Sequence, residues 1–99
     1  MILEKILEKN PNNASALNFL GYTYLEQGVK FEEAYSLFKR AIKIRPEDGY
    51  IRDSLGWYYF KTGDYNKALK EVKKAWEKEK TDVTITLHLA LIFQKLNNF

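Results

Sequence analysis

The sequence predicts an all-α fold: six short helices stacked so that neighbours run antiparallel. Apolar residues recur every three or four positions along nearly all of the chain, the period of one helix face. Asn, Asp, Thr, Gly or Pro bracket each periodic segment. The connecting turns are short, about two to four residues, which makes neighbouring helices antiparallel. The sequence has no strand-like alternation and no low-complexity linker.

The first segment, Met1–Lys9, sets Ile2, Leu3, Ile6 and Leu7 on one stripe against Glu4, Lys5 and Glu8, an amphipathic helix of little more than two turns. Asn10-Pro11-Asn12-Asn13 breaks it, because proline disfavours helix in the residue before it, and Asn13 suits the next N-cap. A second helix runs from Ala14 to about Gln27, with Leu17, Leu20, Gly21 and Tyr24 at i, i+3, i+4 and i+7 and Gly28 closing it. After a turn through Val29-Lys30, Ala34, Leu37, Phe38, Ala41, Ile42 and Ile44 line a third helix that ends at Arg45-Pro46. Asp48 caps a fourth, which carries Leu55, Gly56 and Tyr59 and stops at Thr62-Gly63. Asp64 caps a fifth, with Ala68, Leu69, Val72, Ala75 and Trp76 facing inward. Thr81-Asp82 caps a sixth, from Val83 to about Leu96.

Ninety-nine residues, 45% apolar and 29% charged, suit one small globular domain with little core to spare. With no cysteine, disulfides and thiolate metal sites are excluded. Charges at Glu4 and Lys5 prevent a signal-type apolar core, and no apolar run approaches the roughly 20 residues that cross a bilayer. The chain as given is expected to be soluble, with the cytoplasm favoured and a longer parent protein left open. The formal charge of +3 is local: residues 61–80 hold seven lysines against four acidic residues, and the remainder is balanced.

Overlaid on itself, the chain matches Leu20 with Leu55 and Leu89, Gly21 with Gly56 and Ala90, and Tyr24 with Tyr59 and Phe93, at shifts of 35 and 34 residues. The helices that follow match as well: Ala34 with Ala68, Phe38 with Val72 and Ala41 with Ala75. A period in this range marks a solenoid of helix pairs. The first copy reads Leu17-x2-Leu20-Gly21-x2-Tyr24, then Ala34-x3-Phe38, then Pro46. On these residues the chain resembles the tetratricopeptide repeat family, in particular its bacterial multi-repeat members. The second copy departs at Arg52, Val72 and Lys80, and the third keeps only Thr86-x2-Leu89-Ala90-x2-Phe93. Arg52 and Thr86 stand where a bulky residue is expected, which would weaken local packing. Pro11 looks like the closing proline of a preceding half-repeat. The resemblance implies a right-handed superhelical stack of helix-turn-helix repeats over residues 1–99, divided as 1–13, 14–48, 49–82 and 83–99.

It also implies a non-enzymatic module that receives a peptide or helix of a protein partner in a concave groove. The residues expected to line it are Asn18, Phe19 and Tyr22, then Tyr50, Asp53, Ser54, Trp57 and Lys61, then Leu87, His88 and Leu91. Tyr22, Trp57 and Leu91 occupy equivalent positions and would form a mostly apolar row along its floor, with Trp57 the principal anchor. The alternative is that Tyr22 and Trp57 only pack between neighbouring helices. The Lys and Asn residues with which some family members hold a partner's terminal carboxylate correspond here to Asn18, Tyr22, Ser54, Thr84 and His88, so that basic clamp is absent.

No catalytic, metal or cofactor site is expected. A catalytic reading would pick Ser54, His88 and Asp53, and Ser54 and His88, equivalent in adjacent repeats, could lie near each other; but these residues are mid-helix, where backbone N–H groups are already bonded and supply no oxyanion hole. A lone histidine without thiols or a Gly-rich phosphate loop gives metal and nucleotide sites no support. Lys67, Lys70, Lys74 and Lys78 form a stripe on the fifth helix that reads first as a solvated face and second as a surface for an acidic partner. Nucleic acid is disfavoured, since the aromatics that stacking needs lie on other faces. The sixth helix carries more apolar residues than one buried face requires, which suggests a structural role with self-association through that helix, or continuation of the array.

Overall fold

The computed structural model describes residues 2–97. It contains α1 (Ile2–Lys9), α2 (Ala14–Gln27), α3 (Phe31–Ile44), α4 (Gly49–Lys61), α5 (Tyr65–Lys78) and α6 (Val83–Asn97), with no strand among the described residues. Met1, Asn98 and Phe99, which the expected segments include, lie outside that range. Short polar side chains start four of the helices by accepting their otherwise unpaired N–H groups. Asn13 Oδ1 accepts from Ala16 N at 3.0 Å, Asp48 Oδ1 from Ile51 N at 3.1 Å, Asp64 Oδ1 from Lys67 N at 3.3 Å, and Asp82 Oδ1 from Ile85 N at 2.9 Å. Gly28, at φ +72°, turns the chain out of α2 while its N–H donates to the Leu25 carbonyl at 3.1 Å. Lys30 starts α3 from the left-handed region, at φ +51°, without a side-chain cap. Nothing in the sequence announces that.

Two hairpins form the centre, α2 with α3 and α4 with α5, and both close on a glycine. A Cβ on Gly21 would stand 2.8 Å from Phe38 Cε1, and one on Gly56 would stand 2.4 Å from Val72 Cγ2 and 3.1 Å from the Val72 nitrogen. Phe38 and Val72 are fully buried, so neither can retreat. Around these contacts sit Leu17, Leu20, Ala34, Ala41, Leu55, Ala68 and Ala75, all buried. Arg52, where packing loss is expected, instead spans the second hairpin. Its Nη1 donates to Glu71 Oε2 at 2.8 Å and its Nη2 to the Pro46 carbonyl at 3.3 Å, and the ion pair is largely screened from water.

The helices divide into two layers. α2, α4 and α6 contact one another in sequence, whereas α1, α3 and α5 each touch only members of the first layer. The inner layer therefore bears one continuous face, along a molecule extending 46 × 27 × 20 Å. One face differs from expectation. On α1, Leu3 and Leu7 pack against the core, while Ile2 is 75% exposed and Ile6 36%. On α6 the buried residues are Ile85, His88 and Ile92, while Ala90 and Phe93, which match Gly56 and Tyr59 in the repeat, are exposed; among the described residues α6 meets α4 and α5. Ile44, expected to pack, is exposed.

The α4–α6 contact is polar at its centre. His88 Nδ1 lies 2.9 Å from Asp53 Oδ2 and 3.0 Å from Oδ1, with both residues buried. A carboxylate out of water costs several kcal/mol unless it is hydrogen-bonded, so each partner here makes the other tolerable.

Two predictions follow from this packing. Gly56→Ala gains about 1 kcal/mol of helix propensity, but driving a methyl into an immobile neighbour costs about 1–3 kcal/mol or more at ordinary overpacked sites, and 2.4 Å is a severe overlap. Net destabilisation, read as a lower urea midpoint, is expected. Asp53→Ala or His88→Ala leaves a buried polar group alone and should cost about 3 kcal/mol. The double variant should lose less than the sum of the two singles, and strict additivity in equilibrium unfolding would contradict the pairing.

Candidate functional site

The concave face opens into a cleft of about 360 Å³ where α2, α4 and α6 converge. Asn18, Phe19 and Tyr22 form one wall and Tyr50, Asp53 and Ser54 the middle. Asp82, Thr84, Ile85 and His88 close the far side. Helical periodicity explains the grouping, since residues three and four apart share a face. Seven of the eleven residues expected at the groove thus line one cavity; Trp57, Lys61, Leu87 and Leu91 lie outside its lining.

Trp57 occupies a different place from the one its repeat position suggests. It is 8% exposed, its ring stacked on His88 at 3.9 Å and on Phe60 at 4.7 Å between centroids. Lys61 Nζ stands 5.3 Å over the same ring and 3.8 Å from Glu26 Oε2, which ties α4 to α2. Leu91 is partly buried against the same core, and Leu87 is 55% exposed. The expected row Tyr22–Trp57–Leu91 is therefore not an open apolar floor: its central member is sealed. Sequence position gave the stripe but not the rotation that tucks the indole behind His88.

The exposed apolar surface of the cleft comes from Phe19, 60% exposed, and Tyr50, 51% exposed. Its electrostatics are acidic. No lysine or arginine lines it, in a chain whose net charge is +3. Tyr22 is pushed up to about 12, first by burial and then by Glu26 beside it, with Asp53 adding. Tyr50 is raised mainly by the charge of Glu79, with Asp82 and Asp48 contributing. Both phenols thus register the carboxylates beside them. Asn18 Oδ1 is buried without a hydrogen-bond partner, and so is Trp57 Nε1. Neither orphan was legible in the sequence.

Ser54 Oγ donates to the Tyr50 carbonyl at 3.3 Å and makes no bond to His88, so Ser54, His88 and Asp53 are neighbours without a nucleophile–base link. No group of three or more His, Cys, Asp or Glu residues arranged to hold a metal ion occurs among the described residues. Nor is any described helix long and apolar enough to cross a membrane. On the lysine helix, Lys67 Nζ lies 3.7 Å from Asp64 Oδ2 and Lys78 pairs with Glu47, leaving Lys70, Lys73 and Lys74 on an exposed face.

Comparison with known proteins accounts for this architecture. Two family models described as tetratricopeptide repeat match the chain, over residues 2–35 and 51–77. The TPR repeat-containing protein PA4667 of Pseudomonas aeruginosa is 33% identical over 87 residues, covering 88% of this chain and 15% of that protein. The anaphase-promoting complex subunit CDC16 of Saccharomyces cerevisiae is 33% identical over 86 residues, covering 80% of this chain and 10% of its own length. The chain therefore spans only a small part of the curated relatives it matches. Among solved structures, a chain of the Naa15/Naa10 assembly bound to HypK-THB superposes with a TM-score of 0.84 at 27% identity, covering 97% of this chain and 14% of that one. MamA superposes with a TM-score of 0.79 at 21% identity, over 95% of this chain and 54% of its own, a likeness of fold alone. The chain belongs to the tetratricopeptide repeat family, a helical scaffold for protein–protein interaction of which it carries a few repeats.

Proposed function

We propose that this chain binds a protein partner in the cleft between α2, α4 and α6, by taking up a peptide or helix that presents a basic side chain next to an apolar one. The observation that carries this reading is the combination of exposed Phe19 and Tyr50 with an acidic lining that contains no lysine or arginine. Aromatic surface rewards burial of an apolar anchor, and a tyrosine face also attracts a cation. Asp82 spends one carboxylate oxygen on the cap of α6 and retains the other for a partner's N–H. The unpartnered Asn18 Oδ1 is a further acceptor at the wall. A basic ligand would thus find acceptors on two sides and aromatic surface between them. The cleft is carried on capped, mutually packed helices, so recognition calls for little backbone rearrangement. An enzymatic role draws no support from it, because the one buried acid–base pair, Asp53–His88, is committed to joining α4 and α6.

Selection of binders from a displayed library of helical and extended peptides, followed by calorimetry, tests the proposal. Enriched peptides should carry Lys or Arg beside an aliphatic or aromatic residue. Phe19→Ala and Tyr50→Ala should each weaken them about tenfold or more, the loss typical of a hot-spot residue, without shifting the thermal midpoint. Asp82→Asn, which keeps a good N-cap but removes the charge, should weaken binding and flatten its salt dependence. Binders indifferent to all three substitutions, or lost only on neutralising Lys70, Lys73 and Lys74, would refute the cleft as the site.

A further inference from the structure

We infer that Tyr35 and Tyr58 form an oxidative cross-linking site, at which a one-electron oxidant of the ferryl-haem class joins α3 to α4 by a carbon–carbon bond between the two rings. The observation is independent of the cleft and of both ends of the stack. The chain has seven tyrosines. Among the described residues, Tyr35, Tyr58 and Tyr59 make all the tyrosine–tyrosine ring contacts. Tyr35 meets Tyr58 at 5.2 Å between centroids and 42° between planes, and Tyr59 edge-on at 6.1 Å. The repeat does not call for this cluster, since Leu69 and Thr23 stand at the positions matching Tyr35 and Tyr58. All three rings border a cavity of about 340 Å³ between the hairpins that opens to solvent, with Thr62, Asp64 and Lys67 completing its lining.

Oxidation of a phenol releases one electron and the hydroxyl proton, and leaves a phenoxyl radical with much of its unpaired spin on the ring carbons ortho to the oxygen. Two such radicals in contact couple through those carbons. The two ortho hydrogens then leave as protons and both oxygens take a proton back, so the pair loses two hydrogen atoms in all. With a haem peroxidase as oxidant, one hydrogen peroxide accepts both electrons and both protons and leaves as two waters. Local charge sorts the three rings. Lys39 Nζ stands 5.9 Å over Tyr35 and Lys67 Nζ 5.7 Å over Tyr59, and an ammonium over a π face opposes withdrawal of an electron from it. Among the described residues no ammonium stands over Tyr58, which makes it the first of the three to be oxidised. Burial holds the Tyr58 phenol above its ordinary range, with Tyr35 and Glu32 adding, so it carries its proton until the electron leaves. The partner is Tyr35, the nearer ring and one on another helix; Tyr59 is the chain neighbour of Tyr58, and consecutive helical side chains do not face each other. The bond ties the first hairpin to the second at the seam where α3 packs on α4.

Treatment of the intact chain with a haem peroxidase and limiting hydrogen peroxide tests this. The monomer should lose the mass of two hydrogens, gain dityrosine fluorescence and yield a proteolytic fragment that joins the Tyr35 and Tyr58 segments. Tyr35→Phe and Tyr58→Phe, which keep the rings, should each abolish that fragment, whereas Tyr59→Phe and Tyr50→Phe should leave it. Fragment mapping of the unsubstituted chain identifies the joined pair should a Phe variant lose helicity. The cross-linked monomer should melt at a higher temperature than the untreated one, because a covalent closure restricts the unfolded chain. Treated in urea, the chain should show no preference for the Tyr35–Tyr58 fragment. Four outcomes overturn the inference: cross-links between molecules only, a Tyr35–Tyr59 fragment in its place, oxidised tryptophan in a monomer without any cross-link, or the same preference for Tyr35–Tyr58 in urea as in the folded chain.

Discussion

The close approach of paired backbones at Gly21 and Gly56 is the constraint on which the rest of the structure depends. With 2.4 Å between a hypothetical Gly56 Cβ and Val72, and 2.8 Å at the matching place in the first hairpin, each pair of helices meets almost backbone to side chain. That proximity lets Val72 and Phe38 fill the seam completely and sets how each hairpin stands against the next. Everything on the concave face inherits its position from these seams, because the inner helices touch one another more sparsely than they touch their outer partners. The cleft is thus defined by packing on its far side.

Much of this was legible in the sequence, for a simple reason. Caps, turns and the 34-residue period depend on local chemistry that a residue carries wherever it is placed: Asn13, Asp48, Asp64 and Asp82 cap as their short acceptors require, and Gly28 turns the chain as only glycine readily does. What the sequence obscured depends on orientation across helices. Asp53 and His88 sit on different helices and read as ordinary groove positions, yet in the fold they meet, and Trp57 is sealed by stacking on the same imidazole. Arg52 shows the converse. Judged against the repeat pattern it is a defect, but with Glu71 on the opposing helix it is a brace. Pairings between residues 19 and 35 positions apart are invisible to periodicity, which sees only one helix at a time.

The distribution of charge gives the two faces different characters. Lysines gather on α5, where Lys70, Lys73 and Lys74 stay in solvent, while acids gather around the tyrosines of the cleft. Because the excess positive charge lies away from the concave side, the +3 net charge says little about what the cleft attracts. Local field outweighs total charge at these distances, since screening confines exposed charges to roughly 8–10 Å in physiological salt.

The way successive hairpins are joined has a mechanical consequence. α1, α3 and α5 never meet each other among the described residues, but α3 packs on α4 and α5 on α6 more extensively than α2 packs on α4 or α4 on α6. The first helix of each new hairpin is thus seated between both helices of the one before it, and a change of angle between hairpins would disturb two seams at once. Asp53 and His88, the one buried hydrogen-bonded pair joining two inner helices among the described residues, pin the last of these seats from the concave side. Curvature is therefore built in at every step, and the cleft keeps its width because the seams behind it cannot shift singly.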